Sequence, residues 1–301
     1  MYNRQTSAID KSEMVMTADK KLVFIHIPKA AGSTLKYIIE RHYTRDATVY
    51  FNVDTEVPEF VNWPPERYRS IRALIGPQPY GMGRYLGGDV QYITTLREPL
   101  SRVISRYYYV LRSREHYLHK QVTENQISLV DYILSDLTAE LDNGQTRLLS
   151  GLPEVDGIRG REPVTDEVLE VAKRNLQNCL VGLSTAFDAS LLLFAHHLNW
   201  QHIYYEPQNI GKNRPPKAPL TDEVRQQVLE RNRYDTLLYE FAEQLHREQL
   251  AAAGIDESTI KRFQEENRRY QKQQVLRRRL RYLPARIKKQ IRRILPRKTA
   301  E

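Results

Sequence analysis

Short apolar runs along the chain take turns with stretches of helical period, as in a sheet whose strands are joined through helices. Leu22 to Ile27 is an apolar, β-branched run stopped by Pro28, and Thr34 to Tyr43 is helix-like. Ile71 to Ile75 is a brief apolar stretch. It runs into Gly76-Pro77-Gln78-Pro79-Tyr80-Gly81-Met82-Gly83, a loop by its Gly and Pro content. Val90 to Arg112 repeats the first design: a strand, then Arg97-Glu98-Pro99, then a helix with Pro99 near its first position, where a missing N–H costs little. That helix has an apolar face of Leu100, Val103, Ile104, Tyr107, Tyr108 and Leu111. Cys179 to Leu183 reads as a buried strand, and Arg225 to Gln249 as a packed helical segment that ends the domain. The pattern predicts a flexible N-terminus over 1–20, one α/β domain over 21–250 with a parallel sheet flanked by helices, and a C-terminal extension over 251–301. Residues 44 to 70, with Pro58, Pro64 and Pro65, carry no clear period.

Composition sharpens the picture in three places. A chain of 301 residues that is 41% hydrophobic can bury one substantial core. The lone Cys179 excludes an internal disulfide framework, and its apolar surroundings predict an inert core thiol. Residues 1–20 lack a continuous apolar segment and no later run approaches the ~18 residues of a membrane span, so a cytoplasmic protein is expected.

The net charge of +9 is uneven. From Ile255 onward there are 16 Lys and Arg against 5 Asp and Glu, which leaves the rest of the chain slightly acidic. In this tail Leu276, Leu280, Leu283, Ile287, Ile291 and Ile294 recur at steps of 3 or 4, with Pro284 as a kink. Such a basic amphipathic helix suits three uses: docking residues 258–301 on an anionic membrane surface, clamping a polyanion, or packing on its own domain. The rest of the chain offers no nucleic-acid recognition motif.

The candidate chemistry lies between the first strand and helix. Lys29 sits beside Ala30, Ala31 and Gly32, small enough for an anion to approach the backbone. Ser33 and Thr34 open a helix whose unpaired N–H groups favour phosphate. The nucleotide-triphosphatase pattern puts its lysine after the last glycine, whereas Lys29 precedes Gly32. In the second unit Arg97, Ser101 and Ser105 can lie near the entrance of the helix, where a guanidinium fork matches phosphate oxygens and a serine adds an uncharged donor.

The wording P-K-A-A-G-S-T-L after F-I-H-I, with L-R-E-P-L-S-R-V-I-S-R-Y-Y-Y downstream, resembles sulfotransferases that use 3′-phosphoadenosine 5′-phosphosulfate (PAPS). The likeness is nearest to the carbohydrate branch with the heparan and uronyl 2-O-sulfotransferases and their bacterial relatives. It implies a P-loop-like fold, PAPS as co-substrate, no metal, and a carbohydrate acceptor. It also implies that Lys29 stabilises the leaving group, that Ala30, Ala31, Gly32, Ser33 and Thr34 hold the 5′-phosphosulfate, and that Arg97 with Ser105 holds the 3′-phosphate. Asp142 to Gly151 resembles a family segment, N-x-Q-T-R-x-L-x-G, in which Arg147 either reaches an anion or caps a helix. Gln208 to Pro216 resembles a loop closing over PAPS, with Asn209 and Lys212 as contacts.

The chain departs from the family at two positions. Ser184-Thr185-Ala186 replaces the segment that carries a family glutamate, and Pro77 stands where the family has the histidine that takes the acceptor's proton. Another residue then serves as base, the acceptor needs little help, or the protein binds PAPS-like ligands without turnover. His26 on the cradle strand is the candidate base; Asp54, Glu56 and Glu66 fall where an acceptor cleft is expected.

Overall fold

The computed structural model of the chain describes residues 20–51, 56–151, 162–207 and 220–281. In chain order these form β1 (Lys21–Ile25), α1 (Gly32–Ile39), β2 (Thr48–Tyr50), α2 (Glu56–Val61), α3 (Pro65–Arg69), β3 (Ala73–Gly76), β4 (Val90–Leu96), α4 (Pro99–Arg112), α5 (His119–Glu124) and α6 (Leu129–Leu134). There follow α7 (Gly144–Ser150), α8 (Asp166–Gln177), β5 (Cys179–Leu183), α9 (Phe187–Leu198), α10 (Asp222–Arg231), α11 (Arg233–Ala252) and α12 (Glu257–Arg281). The five strands make one parallel sheet in the order β2-β3-β1-β4-β5.

β1 is central, with Phe24 opposite Ile75 of β3 on one side and Ile93 of β4 on the other. A parallel strand covered on both faces must be apolar throughout, and Leu22 to Ile25 are all fully buried. Their alternation divides the core. Val23 and Ile25 pack with Leu169 and Leu176 of α8 and Leu238 and Ala242 of α11, while Leu22 and Phe24 pack with Leu35 and Ile38 of α1 and Leu191 and Phe194 of α9. Burying one such side chain contributes about 1.5–3 kcal/mol relative to exposing it, so the sheet is the rigid part of the molecule. A third cluster, Val103, Tyr107 and Val110 of α4 with Val122, Tyr132 and Val228, joins α4 to α5, α6 and α10.

Three elements differ from the pattern-based expectation. The first helix starts at Gly32 and stops at Ile39, short of Tyr43: the Arg41 and His42 N–H groups turn back to the Ile38 and Ile39 carbonyls. The C-terminal segment is two helices because Asn232, buried between them, donates to the Leu141 and Val228 carbonyls with its own side chain. Residues 44–70 hold the edge strand β2, whose three residues are too few to show a period.

α12 is docked rather than free at its start. Phe263 is buried in the α1/α9 core, Tyr204 stacks on Phe263 and Tyr270, and the Tyr205 N–H donates to Asn267 Oδ1 at 2.8 Å. Farther along, Val275 and Leu276 are exposed, so the apolar stripe begins where packing on the domain ends. Leu283, Pro284, Ile287, Ile291 and Ile294 lie outside the described residues, as do seven of the tail's 16 Lys and Arg. Among the described residues no helix is long and apolar enough to cross a membrane.

Candidate active site

The chain leaves β1 toward β3 and β2, then crosses to β4 on the opposite side. The crevice at the carboxyl ends of β1 and β4 is therefore the switch point of the sheet, where ligands of open parallel sheets bind. The loop after β1 is held open by backbone conformation: Lys29 and Ala31 have φ of 70° and 68°, in the left-handed region. Among the described residues, the N–H groups of Ala31, Gly32 and Ser33 donate to no other group, which leaves three converging donors at the start of α1. Ser33 is exposed beside them and Thr34 is buried behind. That donor set, with a lysine in the same loop, fits a phosphate or phosphosulfate.

Gly32 is small for a reason the sequence did not disclose. A Cβ there would stand 2.0 Å from Cδ2 of His26, whose ring lies on the glycine and stacks on Phe24 at 5.4 Å. Burial, then Lys36 and Lys29, push the His26 pKa down to about 4. The imidazole is thus neutral at pH 7 and packed into the cradle's floor.

The second unit meets the first directly. Arg97 Nη1 donates to the Lys29 carbonyl at 3.0 Å, and Thr95 Oγ1 donates to the Ala30 carbonyl at 2.7 Å, so Arg97 and the lysine loop share one wall. Glu98 caps α4 by accepting from the Leu100 and Ser101 N–H groups at 2.9 and 2.7 Å. Ser105 lies half-buried two turns along, one turn before Tyr109 on the same helical face. Lys29 Nζ sits over the Tyr109 ring, 4.1 Å from its centroid. Lys29, Ala30, Ala31, Gly32, Ser33, Thr34 and Arg97 are gathered at the crevice, and Ser105 lies on the α4 face that carries Tyr109 toward it. Asn209, Lys212 and Asp54 lie outside the described residues.

Arg147 serves the fold: it is buried, donating to the Asp142 and Glu162 carbonyls and pairing with the Asp142 carboxylate at 3.2 Å. Gln78, next to Pro77, is fully buried with its amide on the Phe24 carbonyl. Cys179 is buried and its thiol pKa is pushed up by burial. Glu66 is exposed on α3.

Two residues to which the sequence assigned no role lie at the candidate site. Gln145 brackets the Arg97 peptide, and Tyr109 holds the Lys29 ammonium. His116 is brought near as well, edge-on to Tyr109 at 5.5 Å. Its Nδ1 accepts from the Leu118 N–H and its Nε2 lies 3.4 Å from Arg106 Nη2. With Nδ1 accepting, Nε2 carries the hydrogen of the neutral ring, and burial with Arg106, His119 and Lys29 lowers its pKa to about 4, so it is a poor proton acceptor. His119 donates from Nδ1 to the Val110 carbonyl at 2.8 Å and so caps the end of α4. Among the described residues no group of three His, Cys, Asp or Glu could hold a metal ion.

The chain was compared with known proteins. No curated protein matches it significantly. A family model described as a sulfotransferase family matches residues 12–143, a span that contains the cradle, Arg97 and Ser105. Over that stretch, which includes both strand-loop-helix units of the crevice, the chain is similar to that sulfotransferase family.

Proposed function

We propose that the protein transfers the sulfuryl group of PAPS to a hydroxyl of a carbohydrate acceptor. The observation that carries this reading is the contact between Arg97 Nη1 and the Lys29 carbonyl at 3.0 Å, which sets two anion-binding elements side by side. PAPS presents anionic groups at both ends of its ribose and needs such a pair. In the transfer the acceptor hydroxyl oxygen bonds to sulfur and its proton leaves to water as the bond from sulfur to the 5′-phosphate oxygen breaks, leaving adenosine 3′,5′-bisphosphate. The Ala31, Gly32 and Ser33 N–H groups hold the 5′ end, and Arg97 with Ser105 holds the 3′-phosphate. The Lys29 ammonium meets the charge that builds on the leaving oxygen, an interaction strongest in the transition state.

A sugar acceptor is supported by exposed aromatic rings at the crevice. Tyr109 lies over Lys29, and Tyr117, 39% exposed, stacks on His116 at 4.7 Å. Such rings offer apolar faces to sugar C–H groups and a hydroxyl at the edge.

Calorimetric titration with adenosine 3′,5′-bisphosphate tests the reading. Wild type binds, and Arg97→Ala binds about 10- to 100-fold more weakly, the effect of losing charge-assisted bonds worth about 1.5–3 kcal/mol. Lys29→Ala loses less affinity but no longer transfers sulfate from PAPS. A folded wild type that binds no bisphosphate overturns the proposal. Binding without transfer to any glycan favours a catalytically degenerate binding protein, consistent with Pro77.

A further inference from the structure

We infer that Gln145 is the positioning residue for Arg97, held in place by Asp235 from the far side of the domain. The inference rests on the reading of Arg97 as a phosphate ligand. β4 ends at Leu96, the last residue paired with β5, so the Arg97 peptide lies just past the sheet's hydrogen-bond ladder. Gln145 supplies what a strand would have supplied. Its Oε1 accepts from the Arg97 N–H at 3.0 Å and its Nε2 donates to the Arg97 carbonyl at 2.8 Å. The side chain is fully buried, so water does not compete for either bond. The backbone on both sides of the Arg97 Cα is therefore fixed, and only side-chain rotations remain to be ordered when a phosphate binds.

Gln145 is itself held. It lies in the first turn of α7, whose N–H groups have no helical partner. The Asp235 carboxylate, fully buried on α11, accepts from the Gln145 N–H at 3.1 Å, the Thr146 N–H at 2.8 Å and the Thr146 hydroxyl at 2.8 Å. In return Asn143 Oδ1 accepts from the Tyr234 and Asp235 N–H groups at 2.9 and 3.0 Å. Asp235 also lies 3.7 Å from Arg102 Nη2 on α4, the helix that Arg97 leads into. The path from Arg97 through Gln145 and Asp235 to Arg102 thus closes on itself. A purely structural glutamine would satisfy the same two backbone groups without affecting ligand affinity through Arg97, and this difference can be measured.

The experiment is a double-mutant cycle on the full chain with adenosine 3′,5′-bisphosphate as probe: wild type, Gln145→Met, Arg97→Lys and the double variant. Arg97→Lys keeps a charge but loses the fork geometry that positioning serves. We expect Gln145→Met to weaken binding about tenfold in wild type and less than threefold in Arg97→Lys, because the two act through one another. Equal losses in both backgrounds, or wild-type affinity in Gln145→Met, overturn the inference. Should Gln145→Met fail to fold, Gln145→Glu is read in the same cycle: it keeps the acceptor for the Arg97 N–H and loses the donor to the Arg97 carbonyl. A wild type that binds no bisphosphate defeats the functional reading itself. A wild type that binds, with Gln145 variants indistinguishable from it, defeats only the positioning role.

Discussion

The two units that meet at the crevice share a plan, strand then loop then helix, yet are held by different means. The loop after β1 makes no side-chain cap of its own: two non-glycine residues, Lys29 and Ala31, lie in the left-handed region, and the side chains that touch it, Thr95, Arg97 and Tyr109, come from the neighbouring unit. The loop after β4 is shaped by side chains brought from elsewhere. Glu98 caps its helix, Gln145 brackets its arginine, and Arg102 and Arg106 are buried against Asp235 and Glu140. The first loop is met by residues of the two motifs, whereas the second needs partners from residues 140–146 and 235. The motifs can specify the former; only the finished fold can specify the latter.

The largest expected effect tests that dependence. Asp235→Ala removes a buried carboxylate that receives three hydrogen bonds from α7 and faces Arg102, leaving an arginine with 1% exposure short of a counter-charge. Removing one partner of a buried pair costs about 3–5 kcal/mol, so thermal unfolding should move down sharply or the protein should fail to accumulate. An Asp235→Ala variant with wild-type melting would mean that the second unit does not need its distant partner.

A smaller effect is expected in the first unit, from a change of one methyl group. Gly32→Ala places a Cβ 2.0 Å from the His26 ring, which cannot retreat freely because Phe24 is stacked on it. Overpacking of this kind costs about 1–3 kcal/mol, and here it also displaces the N–H donors of the cradle. The outcome to look for is a lowered urea midpoint together with weakened bisphosphate binding. Loss of stability with binding intact would show that the cradle tolerates movement of its floor.

The contrast also explains what could be read from the chain. The order of elements and the parallel sheet were legible because strands buried on both faces are apolar runs, such as Leu22 to Ile25. Lys29, Gly32 and Arg97 stood out because each lies in a short contiguous motif. Gln145 lies inside a motif that could be recognised, but nothing local distinguishes a glutamine that brackets a peptide 48 positions away from one on a surface. In the same segment Arg147 looked the more chemical residue, and it is taken up by the Asp142 and Glu162 carbonyls. Tyr109 reads as one more aromatic in R-Y-Y-Y, and which of three tyrosines faces the lysine depends on the exact phase of α4. Gly32 was read as a small residue that lets an anion approach; that a Cβ there would meet the His26 ring could not be read, because the ring approaches only in three dimensions.

The smallest expected effect isolates His26 as the titrating contact of the cradle floor. Its folded pKa of about 4 lies below the ordinary value of 6.5, because burial and the nearby Lys36 and Lys29 disfavour the imidazolium. Between these two values the unfolded chain binds the additional proton, so stability rises with pH there: the contribution is complete above about 6.5 and is lost as pH falls toward 4. His42 and His116, also near 4, push in the same direction, so the wild-type slope is a sum. Because His26 is only half-buried, its own share between pH 7 and pH 5 is on the order of 1 kcal/mol. Urea unfolding of wild type should give a lower midpoint at pH 5 than at pH 7, and His26→Gln should narrow that gap while lowering stability at both. If the gap is as wide in His26→Gln as in wild type, protonation of the cradle floor is not what weakens the protein in acid, and the pH response belongs to the other histidines whose pKa burial lowers, His42, His116, His197 and His246.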